Sequence, residues 1–248
     1  MTTQNRRTAV ISDGRFYVGP PLARYLAARG HDLAIGDAPA ELLAELNGMG
    51  ITAIGVDGVN GRGSEQGYDR LVAAAIDAWG RVDSAAMFSG QIITGSILKS
   101  TREQLDRLYE GCLVLPYEFL KAVLPSMVDR RAGQVLIITS AAGSRPTPGA
   151  PLYSSMRAAA SMLSRNAAAE MARHQVQVNA VGTNFMDFPE FLRASGATDP
   201  EVRAKVESQV PMNRLGTLEE FASFCMPYLD GTSRFATGQF VSFSGGWS

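Results

Sequence analysis

The chain is 248 residues long, 46% hydrophobic and 19% charged, with 25 glycines punctuating many short segments; that composition suits one globular domain with a full core. Its 23 Lys and Arg stand against 24 Asp and Glu, for a net charge of −1. Such a balance sets up no global field for nucleic acid, and no basic cluster suggests a membrane surface, so any anion must be caught by local geometry. The two cysteines, Cys112 and Cys225, lie far apart without metal-ligand spacing, as free thiols in a reducing compartment do. The opening MTTQNRRTAVIS has too short an apolar run for a signal peptide, and no stretch reads as a transmembrane helix. The expectation is a soluble cytoplasmic protein that holds no metal.

In chain order, apolar runs read as buried strands at Thr8–Ser12, Leu33–Gly36, Thr52–Val56, Ser84–Phe88, Val135–Thr139, Val176–Gly182 and Phe240–Phe243. Helical periodicity fills the intervals: Pro20–Arg29, Ala40–Met49, Tyr68–Trp79, Arg102–Val128, Tyr153–Arg173 and Thr217–Leu229. The first of these stops at Gly30, and the last opens on a capping box, Thr217 and Glu220. The alternation predicts a single Rossmann-like doubly wound α/β domain over residues 1–248, with a seven-stranded parallel sheet and helices on both faces. No repeat or linker divides it. Only Asp187–Pro211 breaks the rhythm, as an insertion overhanging the carboxyl ends of the strands, where such sheets bind ligands.

After the first strand the chain reads Ser12-Asp13-Gly14-Arg15-Phe16-Tyr17-Val18-Gly19. A dinucleotide turn needs glycines here, so that backbone amides and a helix N-terminus can approach a pyrophosphate. The stretch resembles the Thr-Gly-x-x-x-Gly-x-Gly of the short-chain dehydrogenases, with Asp13 for the first glycine, Tyr17 for the second, and only Gly19 kept. A carboxylate at Asp13 repels phosphates, and a ring at Tyr17 takes volume that a cofactor needs. Met87-Phe88-Ser89-Gly90 stands where that family has Asn-Asn-Ala-Gly. Asp37 ends the second strand where a ribose-binding acid would sit, but acids at strand ends are common.

Ser140 ends the fifth strand, and Tyr153-Ser154-Ser155-Met156-Arg157 opens the following helix. Residues four apart on a helix share a face, so Tyr153 and Arg157 can act together, while the Ser140 hydroxyl points into the same crevice. The spacing resembles the Ser…Tyr-x-x-x-Lys set of the short-chain dehydrogenases with arginine for lysine, and no lysine occurs between Lys121 and Lys205. Arginine here together with the altered glycine loop is similar to the halohydrin dehalogenases, relatives of that family that work without a nicotinamide cofactor. The resemblance runs along essentially the whole chain, including Val181-Gly182-Thr183-Asn184-Phe185-Met186 and Phe243-Ser244-Gly245-Gly246.

The resemblance implies that Tyr153 is a general base toward a vicinal haloalcohol, Ser140 holds the substrate oxygen, and Arg157 stabilises the phenolate. It implies epoxide formation with halide release and, in reverse, ring opening by azide, cyanide or nitrite. The halide nest falls on Thr183, Asn184, Phe185 and Met186 beside Phe16 and Tyr17; short-chain dehydrogenases usually have Pro-Gly where this chain has Thr183-Asn184. No cofactor and a homotetramer paired through the long helices are further implications. Two alternatives stay open: an NAD(P)-dependent oxidoreductase with a divergent loop, and an inactive binding protein of the same fold. Cys112 and the histidines, His31 and His174, read as structural. Phe185 reads as pocket wall, with Phe188 and Phe191 undecided between wall and core. Only Trp247 and Ser248 follow the final turn, so the tail is expected to close little of the site and to leave it open to bulky epoxides.

Overall fold

Strands form where four to eight apolar residues run together, because only a site covered on both faces can bury such a run. In the computed structural model, which describes residues 6–60 and 66–248, these runs become β1 (Thr8–Ile11), β2 (Asp32–Gly36), β3 (Ala53–Val56), β4 (Ser84–Phe88), β5 (Gly133–Ser140), β6 (Val176–Thr183) and, as the chain's last strand, Phe240–Phe243. They form one parallel sheet, ordered β3-β2-β1-β4-β5-β6 and then Phe240–Phe243 at the edge. The direction of strand progression reverses between β1 and β4, and that switch point opens a crevice at the carboxyl ends.

The helices α1 (Gly19–Ala28), α2 (Ala40–Gly48), α3 (Gly67–Trp79), α4 (Arg102–Tyr109), α5 (Leu115–Arg130) and α6 (Pro151–Met171) cover the faces. One core lies under α1, α2 and the C-terminal helix, around Leu22, Leu26, Ile35 and Phe221. The other lies under α3 and α5, around Leu71, Phe119, Val123 and Met127. The expected insertion folds into β7 (Met186–Asp187), α7 (Pro189–Ser195) and α8 (Pro200–Glu207), followed by β8 (Gly216–Thr217) and α9 (Leu218–Cys225); Phe240–Phe243 is therefore β9. Thr217 and Glu220 form the expected capping box on α9, which gives way to a 3₁₀ turn after Cys225.

Two expectations need correction. The helix expected over Arg102–Val128 is continuous but contains a π turn at Glu110–Val114. The Ser89 hydroxyl donates to the Gly111 carbonyl at 2.6 Å, and a Cβ on Gly111 would sit 2.8 Å from the Gly90 Cα. A carbonyl drawn out of the ladder by an outside donor is a recognised cause of such a bulge. The same helix, Arg102–Arg130, is 29 residues long and apolar enough by length and composition to span a membrane, against the expectation that no stretch qualifies. Phe119, Leu120, Val123 and Met127 on it are buried in the core beneath α3.

At the opposite, amino-terminal end of the sheet, the buried Asp83 carboxylate accepts the Thr8 amide at 2.9 Å and the Arg130 guanidinium at 2.8 Å, and it pairs with Arg81. Burial pushes this acid up, but the two guanidinium groups and the amide outweigh it, so it titrates below the ordinary carboxylate range. A depressed folded value means stability that is present above the unfolded value, near 3.9, and is lost as pH falls through the folded one. Asp83→Asn is expected to cost about 2 kcal/mol in urea unfolding at pH 7, less than for a fully buried pair because both arginines reach solvent. The gap from the native chain should begin to narrow below about pH 4 and close only as pH falls through the depressed folded value.

Candidate active site

The carboxyl ends of β1, β4, β5 and β6, with α6 and the β7–α7 segment, enclose a cleft of about 1780 Å³. Its lining includes Asp13 and Asn60 as well as Phe191 and Trp247. Ser140, Tyr153 and Arg157 all line it, and so do Phe16, Tyr17, Thr183, Asn184, Phe185 and Met186. The sequence-predicted residues are thus brought to one place.

Register fixes the polar centre. Ser140 on β5 lies directly opposite Thr183 on β6. Its hydroxyl donates to the Thr183 carbonyl at 3.3 Å and accepts the Ala142 amide at 3.2 Å. The first bond is long, so its proton can be redirected to a ligand oxygen at small cost. Tyr153 lies in the first turn of α6, and Arg157 follows one turn later, both buried. Gly143, in the turn after β5, lets that turn press on the helix: a Cβ there would meet the Ala158 nitrogen at 2.7 Å.

Arg157 donates to the Ser89 carbonyl at 2.7 Å, and its guanidinium carbon lies 5.0 Å from the centre of the Tyr153 ring. Its buried Nε has no partner among the described residues. Burial disfavours the charge, but Tyr153, Cys112 and Tyr17 favour it more, and Arg157 titrates above its ordinary value. The cation is therefore permanent and dry, which is what a tyrosine must have beside it to act as a phenolate. Cys112 packs against this group beneath Tyr153, and burial pushes its thiol up.

The loop after β1 departs from a nucleotide cradle in ways that can be checked atom by atom. Asp13 does not present a bare charge, as expected from the sequence; both its oxygens are taken by the Arg15 guanidinium at 3.0 and 2.6 Å, and one also accepts the Arg15 amide at 2.8 Å. The Gly14 amide goes to the Gly36 carbonyl and the Gly19 amide to the Phe16 carbonyl. Gly19 is required by close approach, since a Cβ there would lie 2.0 Å from the Asp13 carbonyl oxygen. The next two residues of α1 are Pro20 and Pro21, which have no N–H. None of the first three residues of this helix offers a free amide, so the usual anion site at its N-terminus is missing. The Pro-Pro pair was legible in the sequence and was the signal overlooked there. Asp37, the candidate ribose acid, is tied to the Gly58, Val59 and Asn60 amides.

Tyr17 adopts a left-handed backbone, φ 52°, that turns its side chain into the crevice. Its ring packs against Phe88 and Phe188, with centroids 5.6 and 4.9 Å away, and its hydroxyl meets that of Thr183 at 2.6 Å. Burial pushes this phenol well above the ordinary tyrosine range, so it serves as a neutral hydrogen-bonding group. Thr183, where short-chain dehydrogenases usually have proline, supplies the partner that proline lacks. The residues around a nicotinamide position fit that group poorly: the ring of Tyr17 fills the crevice, the Gly14, Arg15 and Gly19 amides are bonded within the protein, and Pro20 and Pro21 offer none.

Phe185 is also left-handed, φ 55°, a conformation that turns successive amides toward one side. Phe185, Phe188 and Phe191 all line the cleft. Met186 is buried and pairs with Gly216, whereas Phe16 is exposed and meets Phe88 edge-on. The tail contributes more than expected. Trp247 packs on Phe185 at 5.8 Å and beneath the Arg145 guanidinium at 4.7 Å, forming one wall of the cleft.

Residues 18–248 match the family model described as Enoyl-(Acyl carrier protein) reductase. Oxidoreductase UcpA of Salmonella typhimurium is 30% identical, over 94% of this chain and 93% of its own. The chain belongs to the short-chain dehydrogenase/reductase family. Another relative in that family is the 2,5-dichloro-2,5-cyclohexadiene-1,4-diol dehydrogenase LinX of Sphingobium indicum, 26% identical over 98% of this chain and 96% of its own. A solved structure titled "Dehalogenation enzyme" shares the short-chain dehydrogenase/reductase fold with a TM-score of 0.83, covering 100% of both chains at 24% identity.

The Tyr17–Thr183 contact joins the loop after β1 to the end of β6, strands that are not neighbours in the sheet. In a double-mutant cycle with Tyr17→Phe and Thr183→Val, chemical denaturation is expected to give a coupling of about 1 kcal/mol.

Proposed function

We propose that this member of the family removes halide from vicinal haloalcohols to give epoxides, and opens epoxides with small anions in reverse. The observation that carries the reading is the combination of Tyr17 seated in the crevice and a helix start without free amides, beside an intact Ser140–Tyr153–Arg157 set. Chemistry that needs only a proton acceptor, an oxygen clamp and an anion pocket suits those groups. Tyr153, as phenolate, takes the hydroxyl proton while Ser140 donates to the same oxygen. That oxygen forms a bond to the neighbouring carbon as the carbon–halogen bond breaks, and the halide leaves with the electron pair. The amides around left-handed Phe185, with the aromatic edges of Phe16 and Tyr17, receive the halide. In the reverse direction an azide, cyanide or nitrite forms a bond to a ring carbon as that carbon's bond to oxygen breaks, the electron pair goes to the oxygen, and Tyr153 returns the proton to it.

Purified protein is expected to release bromide or chloride from a haloalcohol with no nicotinamide added. Tyr153→Phe should lower the rate about 10²–10⁴-fold, the usual worth of a general base. Arg157→Lys should retain part of the activity with a shifted pH profile, since it keeps the charge and loses the planar fork. An unaffected Tyr153→Phe variant would place the base elsewhere.

A second reading, an NAD(P)-dependent oxidoreductase, is favoured by the relatives, since UcpA and LinX are named as an oxidoreductase and a dehydrogenase. The same preparation separates the two. Nicotinamide absorbance changes with an alcohol or ketone, without halide release, would establish the second reading. Halide release would also exclude an inactive binding protein.

For assembly, we propose a homotetramer. Tyr109 and Tyr117 on the long α4–α5 rod and Met162 on α6 are about half exposed, at 51%, 51% and 52%. The small residues Ala158, Ala159, Ala167 and Ala169 on α6 permit close helix approach between subunits. Light scattering is expected to give four times the 26.5 kDa chain mass; a monomer would refute it.

A further inference from the structure

The amino-terminal end of the sheet, opposite the catalytic cleft, carries a second hollow of about 380 Å³. Arg7, Arg81, Arg131 and Arg234 line it, from the chain before β1, before β4, before β5 and before β9. Asp83 is the only carboxylate in that lining, and it is already shared with Arg130 from α5. Asp230 lies nearby but pairs with Arg29. His31 adds no charge near neutrality, because burial and the neighbouring Arg7 push it down to about 4.

The arginines are held rather than splayed. Arg7 donates to His31 at 3.2 Å, to Gln134 at 3.0 Å and to the Leu229 carbonyl at 3.2 Å. Arg131 donates to the Arg173 carbonyl at 3.0 Å and Arg234 to the Gly231 carbonyl at 3.1 Å. Each of these bonds uses only part of a five-donor fork. The Arg81 Nε is buried with no partner among the described residues. Burial lowers Arg7, with the charges of Arg234 and Arg81 adding to the effect against Asp83. Four guanidinium groups thus line the hollow against the single Asp83 carboxylate, which Arg81 and Arg130 already share, so positive charge is in local excess.

We infer that this hollow is an anion site for a compact ligand bearing one or two phosphate groups, held by the guanidinium groups of Arg7, Arg81, Arg131 and Arg234. Phosphate-class oxyanions match it better than a single carboxylate. Several forks converge from separate segments, as a multiply charged tetrahedral group with many acceptors requires. The volume falls at the lower end of the range for small-ligand sites. The site is independent of the reaction proposed for the cleft, and its strands lead to that cleft: β5 ends in Ser140 and β6 in Thr183.

The test is calorimetric titration of the native chain with pyrophosphate at constant ionic strength, alongside thermal unfolding with and without it. Saturable binding with a raised unfolding temperature is expected. The double variant Arg131→Gln/Arg234→Gln should weaken the affinity at least tenfold and remove the thermal shift. Neither residue pairs with Asp83, so the variant should fold like the native chain, which its own unfolding curve checks. Tyr153→Phe should bind pyrophosphate as the native chain does. Absence of saturable binding would overturn the inference, as would undiminished binding by the double variant, or an equal thermal shift from sodium chloride at matched ionic strength.

Discussion

A single contact between two hydroxyl groups sets the shape of this active-site region. Tyr17 comes from the loop after β1 and Thr183 from the last position of β6, two strands separated in the sheet by β4 and β5. Their bond spans the crevice at the switch point and carries an aromatic ring with it. The neighbours are arranged around that ring: Phe88 meets it in an edge contact, Phe188 packs against it at a tilt, and Thr183 presents its carbonyl to Ser140. The left-handed backbone at Tyr17 costs of order 1–3 kcal/mol. The hydroxyl bond and the aromatic packing together offset a strain of that size.

The altered loop works as a set of coordinated changes. Arg15 neutralises Asp13, the two prolines after Gly19 remove donors, and Asp37 is turned to hold the chain after β3. The two carboxylates are thereby satisfied within the protein, and the prolines leave no amide to satisfy. A loop that depended on a nucleotide would leave amides and a carboxylate to solvent instead.

The sheet was legible from sequence because buried parallel strands leave an unmistakable record of apolar runs, and all seven were found within two residues at either end. The site triad was legible for a different reason: Tyr153 and Arg157 are four apart on a helix, and Ser140 ends a strand, so local geometry already places them. Contacts between distant segments were not. Nothing in the local pattern tells that Arg15 folds back on Asp13, that Ser89 pulls a carbonyl out of the long helix, or that Trp247 turns in against Phe185. Pro20 and Pro21 are another kind of miss. Their consequence is purely local: two consecutive prolines at a helix start remove two amides whatever the glycines around them do.

The size of the cleft has a consequence for traffic through it. At roughly 30 Å³ per molecule, a space of about 1780 Å³ accommodates on the order of sixty waters. A two- or three-carbon reactant occupies a small fraction of that space, and the remainder is room for solvent. The rings of Tyr17, Phe88 and Phe185 are apolar parts of the cleft's lining, so a small reactant held at Ser140 and Tyr153 would leave ample room beside it for water and for a departing anion.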